Sequence, residues 1–589
     1  MPPFLYPDSG KCGPFRRQIV NSEDVDMFSR RDFLQWSAVV AATTGYAGGL
    51  TRVAAQQRLT QDDLLKFDAK GKVTLLHFTD VHAQLKPLYF RPPSENFGVG
   101  AFEGVPPHLV GEAFLKHFNI PAGSPLAYAH TMVDYVNLAR TYGKLGGLDR
   151  TATLVKAIRA ERGDDSVLFL DGGDTWQGSY TSLKTNGQDM VDCMKLLKPD
   201  AMVGHWEFTF GQDRVLELID EMGYPFLASN IFDTEWDEPV FEHTAFYEKG
   251  GHKVAVIGQA MPYTPIANPR WMFPDWSFGI RPDVLQANVD AARAQGAEIV
   301  VLLSHNGFDV DQKLPTVVSG IDVILTGHTH DAVPEAIKIG KTLVLSSGSH
   351  GKYLGRVDLE VKNGEVVDYN STLIPVFSDV ITPDPEMAAK IDEVRAPYEA
   401  ECNRVLAKTE GLLYRRGNFN GTWDDLICQG MIEERDAELS FSPGFRWGTT
   451  LLPGQDITVD DLYTQTSMSY PSVYRLEFSG VQIKEILEDV CDNLFNKDPF
   501  FQQGGDMVRV GGMGYTCAPK ENIGSRITNM TMLKTGEPID PARNYVVAGW
   551  ASVNEGVEGP AIYDLMESYI TRLGVVNMPK NDAVKVVGM

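Results

Sequence analysis

The feature that most constrains the fold is a series of short, mostly apolar runs, each ending at an aspartate, a histidine or a glycine-bearing turn. VTLLHF (73–78), SVLFL (166–170), AMV (201–203), KVAVIG (253–258), EIVVLL (298–303), DVILT (322–326) and TLVLSS (342–347) have strand length and little polar alternation. A strand with one wet face alternates; a strand this continuously apolar needs cover on both faces. Amphipathic helical patterns, such as Asp149–Arg162 and Asp213–Met222, lie between several of them. The order predicts a layered α/β domain.

At 589 residues the chain exceeds what one hydrophobic core serves, so at least two domains are expected. The strand–helix alternation covers 70–376. A charged helical connector follows over 377–403, and a smaller α+β domain with Gly-rich turns and Tyr/Phe/Val strands covers 404–589. Between Gln84 and Leu148 a Pro/Gly-rich, aromatic excursion interrupts the first domain just after its first strand. Loops of that length are functional or disordered, and its aromatics predict an ordered one beside the site.

The first residues read as a processing segment, 1–55. Ser29-Arg30-Arg31-Asp32-Phe33-Leu34-Gln35 resembles the twin-arginine export pattern, followed by a weakly apolar run from Trp36 to Leu50 and small residues at Val53-Ala54-Ala55. That run is shorter than the roughly 20 apolar residues of a span. Export of a folded, monomeric protein to the periplasm is expected, with no stable membrane insertion. A net charge of −25 argues against nucleic acid as partner, because phosphate contacts need clustered Lys and Arg. It does not exclude an anionic substrate, since bound cations invert the local field. Beyond the presequence, Cys193, Cys402, Cys428, Cys491 and Cys517 lack CxxC spacing; buried thiols are expected, with room for one bridge in the C-terminal half.

The chemistry-bearing residues collect at the ends of the apolar runs. Asp80 and His82 follow the first in HFTDVHAQ, Asp174 follows the second in FLDGGDTWQG, and His205 follows AMVG. His305 follows VVLLS, and His328 and His330 follow DVILT in GHTH. The C-terminal ends of strands are where open α/β sheets bind ligands. Two divalent cations about 3.5–4 Å apart repel one another, so a carboxylate between them lowers that cost while imidazoles complete each shell.

The order D-x-H…G-D…G-H…S-H…G-H-T-H resembles the calcineurin-like metallophosphoesterases, and the two-domain length resembles their 5′-nucleotidase branch. ITVDDLYTQTSMSYPSVYRLEFSG (457–480) looks like that branch's C-terminal segment, and SPGFRWG (442–448) stands in the place of its N-G-G-G-I-R. The resemblance implies a four-layer α/β domain, two mixed sheets flanked by helices, followed by a smaller α+β domain of the 5′-nucleotidase type. Asp80, His82 and His330 would bind one metal, His205, His305 and His328 the other, and Asp174 would bridge.

One stretch departs from the branch. Where it has G-N-H-E-[FL]-D, this chain has GHWEFTFG (204–211): His205 at the ligand position, Trp206 at the catalytic histidine and Thr209 at its acidic partner. Losing a general acid costs roughly 10²–10⁴-fold when an alcohol must leave. A thiol, with a pKa of about 8.5, departs as the anion without a donated proton. The departure together with GGDTWQGS, QAMPYTPIANPRWMFP (259–274), GHTHDAVP and SSGSHGKYLGR resembles the thiosulfohydrolases of the Sox sulfur-oxidation pathway. That resemblance implies two divalent ions, Mn2+ in the family, and release of sulfate from a cysteine S-thiosulfonate or S-sulfonate on a SoxYZ-type carrier's C-terminal arm. The ligand set itself suits manganese, zinc or iron alike. Arg446 is the expected cation for the sulfonate, with Asp174 and Trp206 beside it in the catalytic set. Trp206 would line the channel for the arm or serve only packing, with another imidazole such as His350 in the vacated role. Tyr470 and Tyr515 are expected to grip the peptide. The alternatives are a periplasmic 5′-nucleotidase or cyclic nucleotide phosphodiesterase, and a metal-binding protein without catalysis.

Overall fold

The first strand, Val73–Phe78, shows how the alternation of side chains builds layers. Leu75 faces a cluster shared with Leu168, Leu170, Val256, Val301 and Leu325, whereas its neighbour Leu76 faces one shared with Phe169, Leu154, Val155 and Ile158. Successive side chains of a strand point to opposite faces, so one strand serves two cores. The computed structural model describes residues 59–589, and the 1–55 export segment lies outside them. Thr60–Met589 form one compact unit.

Two mixed sheets stand face to face. In the first, the order is Glu365–Pro375, Tyr353–Lys362, Val73–Phe78, Val167–Asp171 and Ala201–Met202, with the last three parallel. In the second, Thr342–Ser346, Val323–Thr326, Ile299–Ser304 and His252–Gln259 run parallel, edged by the antiparallel Ile337–Ile339 and Thr244–Lys249. Helices cover the outer faces: Leu148–Arg162 on the first, and Pro282–Ala294 on the second through Leu285, Val289 and Ala292. The four-layer expectation holds. Helix Leu148–Arg162 buries Leu148, Thr151, Ala152, Val155 and Ile158 at three- and four-residue spacing, starts with Asp149 and ends on Arg159 and Arg162, which suits its dipole. Truncating a central residue such as Leu170→Ala would cost about 2–5 kcal/mol.

The hairpin Tyr353–Lys362/Glu365–Pro375 was not among the apolar runs, because its outer strand keeps only its last residues buried. The excursion is ordered, with helices Gly111–His117, Pro125–His130 and Tyr135–Tyr142. Buried polar anchors hold it down. Lys352 Nζ donates to the carbonyls of Phe90 and Ala129, and Asn96 Nδ2 donates to Asp331 Oδ1 at 3.1 Å. The connector contains helix Pro385–Arg395, capped by Asp384 and packed on Leu148–Arg162. Beyond it, strands Val405–Thr409, Leu439–Ser442, Asp456–Thr458 and those after them form three further sheets, which share no strand with the first two among the described residues. The five cysteines among the described residues are free and buried; Cys491 and Cys517 lie with their sulfurs 3.6 Å apart. No helix among the described residues is long and apolar enough to cross a membrane.

Candidate metal centre

Each ligand sits in the turn that ends its strand, and those turns are sharp. Asp80, His82, Asp174, His328 and His330 all have φ between 50° and 75°, the left-handed region that costs ordinary residues about 1 kcal/mol or more. The turns are locked to one another by backbone bonds: Asp80 N to Gly173 O and His82 N to Asp174 O, both 2.8 Å. Gly327 is required by closeness, because a Cβ there would come within 2.4 Å of Thr79 Oγ1 and 2.9 Å of His305 Nδ1.

The structure gathers all seven expected ligands into two buried groups that share Asp174. One is Asp80, His82, Asp174 and His330; the other is Asp174, His205, His305 and His328. Within each group the candidate ligand atoms lie within 4.8 Å of one another. The groups fit two cations. His205 Nε2 and His305 Nε2 are buried without a hydrogen-bond partner, and His330 turns Nε2 to Asp80 Oδ1 at 3.2 Å. His82 donates from Nδ1 to Gln177 O, leaving its Nε2 lone pair 3.0 Å from His330 Nε2, a crowding that a cation held by both residues would relieve. His305 likewise spends Nδ1 on Gly172 O and turns Nε2 to Asp174 Oδ2 at 3.1 Å.

The charges of the ion-free cluster follow from this crowding. Burial opposes ionisation of Asp174, but the imidazoles of His205 and His305 hold its carboxyl well below the usual range. Burial also opposes charge on His305, and Asp174 with Asp80 nevertheless carry it up to about 10. His328 and His330 are pushed well below the ordinary histidine value, chiefly by burial. Cations would take over the balancing role of the protonated His305.

Trp206 sits in an aromatic cluster. Its ring stands edge-on to Trp447 at 4.8 Å and to Phe445 at 5.3 Å, while its backbone N–H donates to Asp174 Oδ1 at 2.8 Å. Thr209 spends its hydroxyl on Trp206 O at 2.6 Å. His350 lies 5.6 Å from the His82 ring, but both its nitrogens are engaged, Nε2 by Gly448 N–H and Nδ1 by Ser349 Oγ. Arg446 lines a cavity with His328, Asn96, His108 and Gly504; its Nε donates to Asp506 at 3.3 Å and its Nη1 has no partner. Gly504 lets the C-terminal half close on the centre, since a Cβ there would meet His328 Nε2 at 1.9 Å.

Two expected residues do not reach the cavity. Tyr470 spends its hydroxyl on Asn268 Oδ1 at 2.9 Å. Tyr515 belongs to the C-terminal core with Met513, Cys491 and Cys517, so the expectation that it grips a peptide is corrected by its inward phase on strand Met513–Cys517. Other residues carried no sequence signal. Arg416, fully buried, donates to the carbonyl of Thr329 between the two histidines of GHTH and faces Asp506 and Asp331. His108 holds both oxygens of Asp309 at 3.0 Å, and Asp309 outweighs burial to raise its pKa. Glu207 was visible in GHWEFTFG without an assigned role.

This fold with this paired centre defines the class: a hydrolase of the 5′-nucleotidase branch of the calcineurin-like metallophosphoesterases. The family described as "5'-nucleotidase, C-terminal domain" matches residues 406–565. A curated 5'-nucleotidase of Bos taurus is 25% identical over 66% of this chain and 73% of its own length. A solved 5'-nucleotidase precursor from Thermus thermophilus shares the fold, with TM-score 0.69 at 20% identity over 88% of this chain and 99% of that one. The solved SoxB of the same organism, a sulfate thiohydrolase in complex with glycerol, is 37% identical with TM-score 0.86, covering 89% of this chain and 98% of that one. The chain belongs to the SoxB family. A twin-arginine signal sequence matches residues 27–45 and marks it for that export route to the periplasm.

Proposed function

We propose that this hydrolase cleaves the bond between the sulfone sulfur and the sulfane sulfur of a cysteine S-thiosulfonate carried on the C-terminal arm of a SoxYZ-type protein. Water oxygen joins the sulfone sulfur, the bonding electron pair leaves on the sulfane sulfur as a persulfide anion, and sulfate and two protons are released. With an S-sulfonate substrate the leaving anion is a thiolate. Two divalent ions, Mn2+ in this reading, would supply Lewis acidity and an activated water. The chain's own residues orient the substrate: the unpartnered Nη1 of Arg446 suits a sulfonate oxygen, and Trp206, Trp447 and Phe445 exclude water from the sulfur.

The observation that carries the reading is selective loss. All seven ligands are assembled, while the place of the family's proton donor holds an indole in an aromatic cluster and a threonine whose hydroxyl is already spent. A leaving sulfur anion tolerates that loss and an alkoxide does not. Nucleotide hydrolysis is the second reading, favoured by the His108–Asp309 pair on the cavity wall. Purified holoenzyme is expected to release sulfate from a thiosulfonated carrier-arm peptide and to leave AMP nearly untouched. Trp206→His combined with Thr209→Asp is expected to reverse that preference. Fast AMP hydrolysis with no sulfate from the peptide would replace this reading with the second.

A further inference from the structure

Two loops supply Asp174 and His205, and neither is held by strand pairing at that point. The backbone N–H groups of Asp174, Thr175 and Trp176 in the first loop and of His205 in the second are buried, where an unmet donor costs about 1–3 kcal/mol. All four point at one side chain. Glu207, fully buried, accepts from Thr175 N at 2.6 Å and Trp176 N at 3.2 Å on Oε1, and from His205 N at 2.8 Å and Asp174 N at 3.3 Å on Oε2. An ionised carboxylate offers about four lone-pair sites, and here each has a partner.

We propose that Glu207 is the positioning residue of the second cation site, clamping the Asp174 and His205 loops in binding geometry before any ion arrives. The inference rests on the two-cation reading of the centre and adds an asymmetry to it. His205 serves only the second group, and Glu207 fixes it directly. In the first group, Asp80 is held by Thr79 Oγ1 at 2.6 Å and by His328 N–H at 3.0 Å, and His82 by Gln177 O at 3.2 Å, none of them through Glu207. The shared Asp174 is secured twice, by Glu207 at its backbone and by Trp206 N–H at Oδ1. Glutamine cannot replace the clamp, because its amide NH2 would confront two of the four N–H groups.

The test is Mn2+ titration of the metal-free full chain, read by calorimetric stoichiometry and by electron paramagnetic resonance. Wild type is expected to take two ions and to develop the signal of a spin-coupled pair. Glu207→Gln is expected to bind the first ion within about threefold of wild type and the second about 10–100-fold more weakly, with the isolated-ion signal persisting. Equal weakening of both ions, or unchanged binding of both, overturns the proposal. Wild type taking fewer than two ions would instead sink the two-cation reading, a separate outcome. Because the variant could fail to fold, amide hydrogen exchange on metal-free wild type provides a second readout. The N–H groups of 174–176 and 205 are expected to be protected without metal; protection that appears only after Mn2+ is added would show the ion, not Glu207, organising the loops.

Discussion

The strand-end and C-terminal walls of the metal centre differ in some of the atoms they leave unpartnered. On the strand-end wall these include imidazole nitrogens, His205 Nε2 and His305 Nε2, the second of which can give a cation its lone pair once its proton is displaced. On the C-terminal wall they include donors, Arg446 Nη1, Arg416 Nε and Trp447 Nε1, which have protons to offer an anion. Buried polar atoms are rarely left unmet without a reason, and unpartnered donors beside a cation centre are what the proposed anionic substrate would need. The backbone differs as well. The strand-end wall concentrates left-handed residues and loop-to-loop bonds, so its shape is set before substrate arrives, whereas the other wall is a loop at 445–448 whose stacked Phe445 and Trp447 meet Trp206 edge-on.

The largest effect expected from breaking this contrast is at the shared carboxylate. Asp174→Ala should remove both coupling between the ions and tight binding of the second, lowering kcat for sulfate release by roughly 10³-fold or more. Inductively coupled plasma analysis alongside kinetics checks it; two tightly held ions in the variant would contradict the bridging role. The donor wall should behave in the opposite manner. Arg446→Ala is expected to keep both ions but to lose roughly 10²-fold in kcat/KM on the thiosulfonated peptide, the usual scale for one preorganised donor. Loss of metal from that variant would show that the walls are not separable.

The smallest effect concerns the anchor between the excursion and the strand-end wall. Asp309 raises the pKa of buried His108 above its ordinary 6.5, against the burial that would lower it. The folded state therefore binds the proton more tightly than the unfolded chain. The stabilisation is fully present below pH 6.5 and is lost as pH rises through the folded value. Wild-type Tm should fall over that window relative to His108→Gln by about 2 °C or less, measured by calorimetry from pH 6 to 9. Parallel curves would remove the ion pair from the account.

What could be read from the chain beforehand divides along the same line. The strand-end wall was legible because each ligand lies within a few residues of an apolar run, so strand and ligand are specified together by short-range sequence. His205 could be placed although the family has asparagine there, since either donates a lone pair. The donor wall was legible only at Arg446, through its place in SPGFRWG. Tyr515 was misplaced because RVGGMGYTC carries a strand too short and too Gly-rich to reveal which phase faces the core. Arg416 and His108 left no mark at all: their partners, Thr329, Asp506 and Asp309, are distant in sequence.

Sequence alone determined the layered strands, the ligand types and their order, and the absence of a proton donor at 206 and 209, because these depend on side-chain identity and local periodicity. Tertiary structure decided that four loop N–H groups converge on Glu207, that Tyr515 turns into the C-terminal core, and that Trp206 packs edge-on against Trp447 and Phe445. Those outcomes depend on which turns come within hydrogen-bonding distance, and that is settled only when two sheets and the C-terminal half close around the same point.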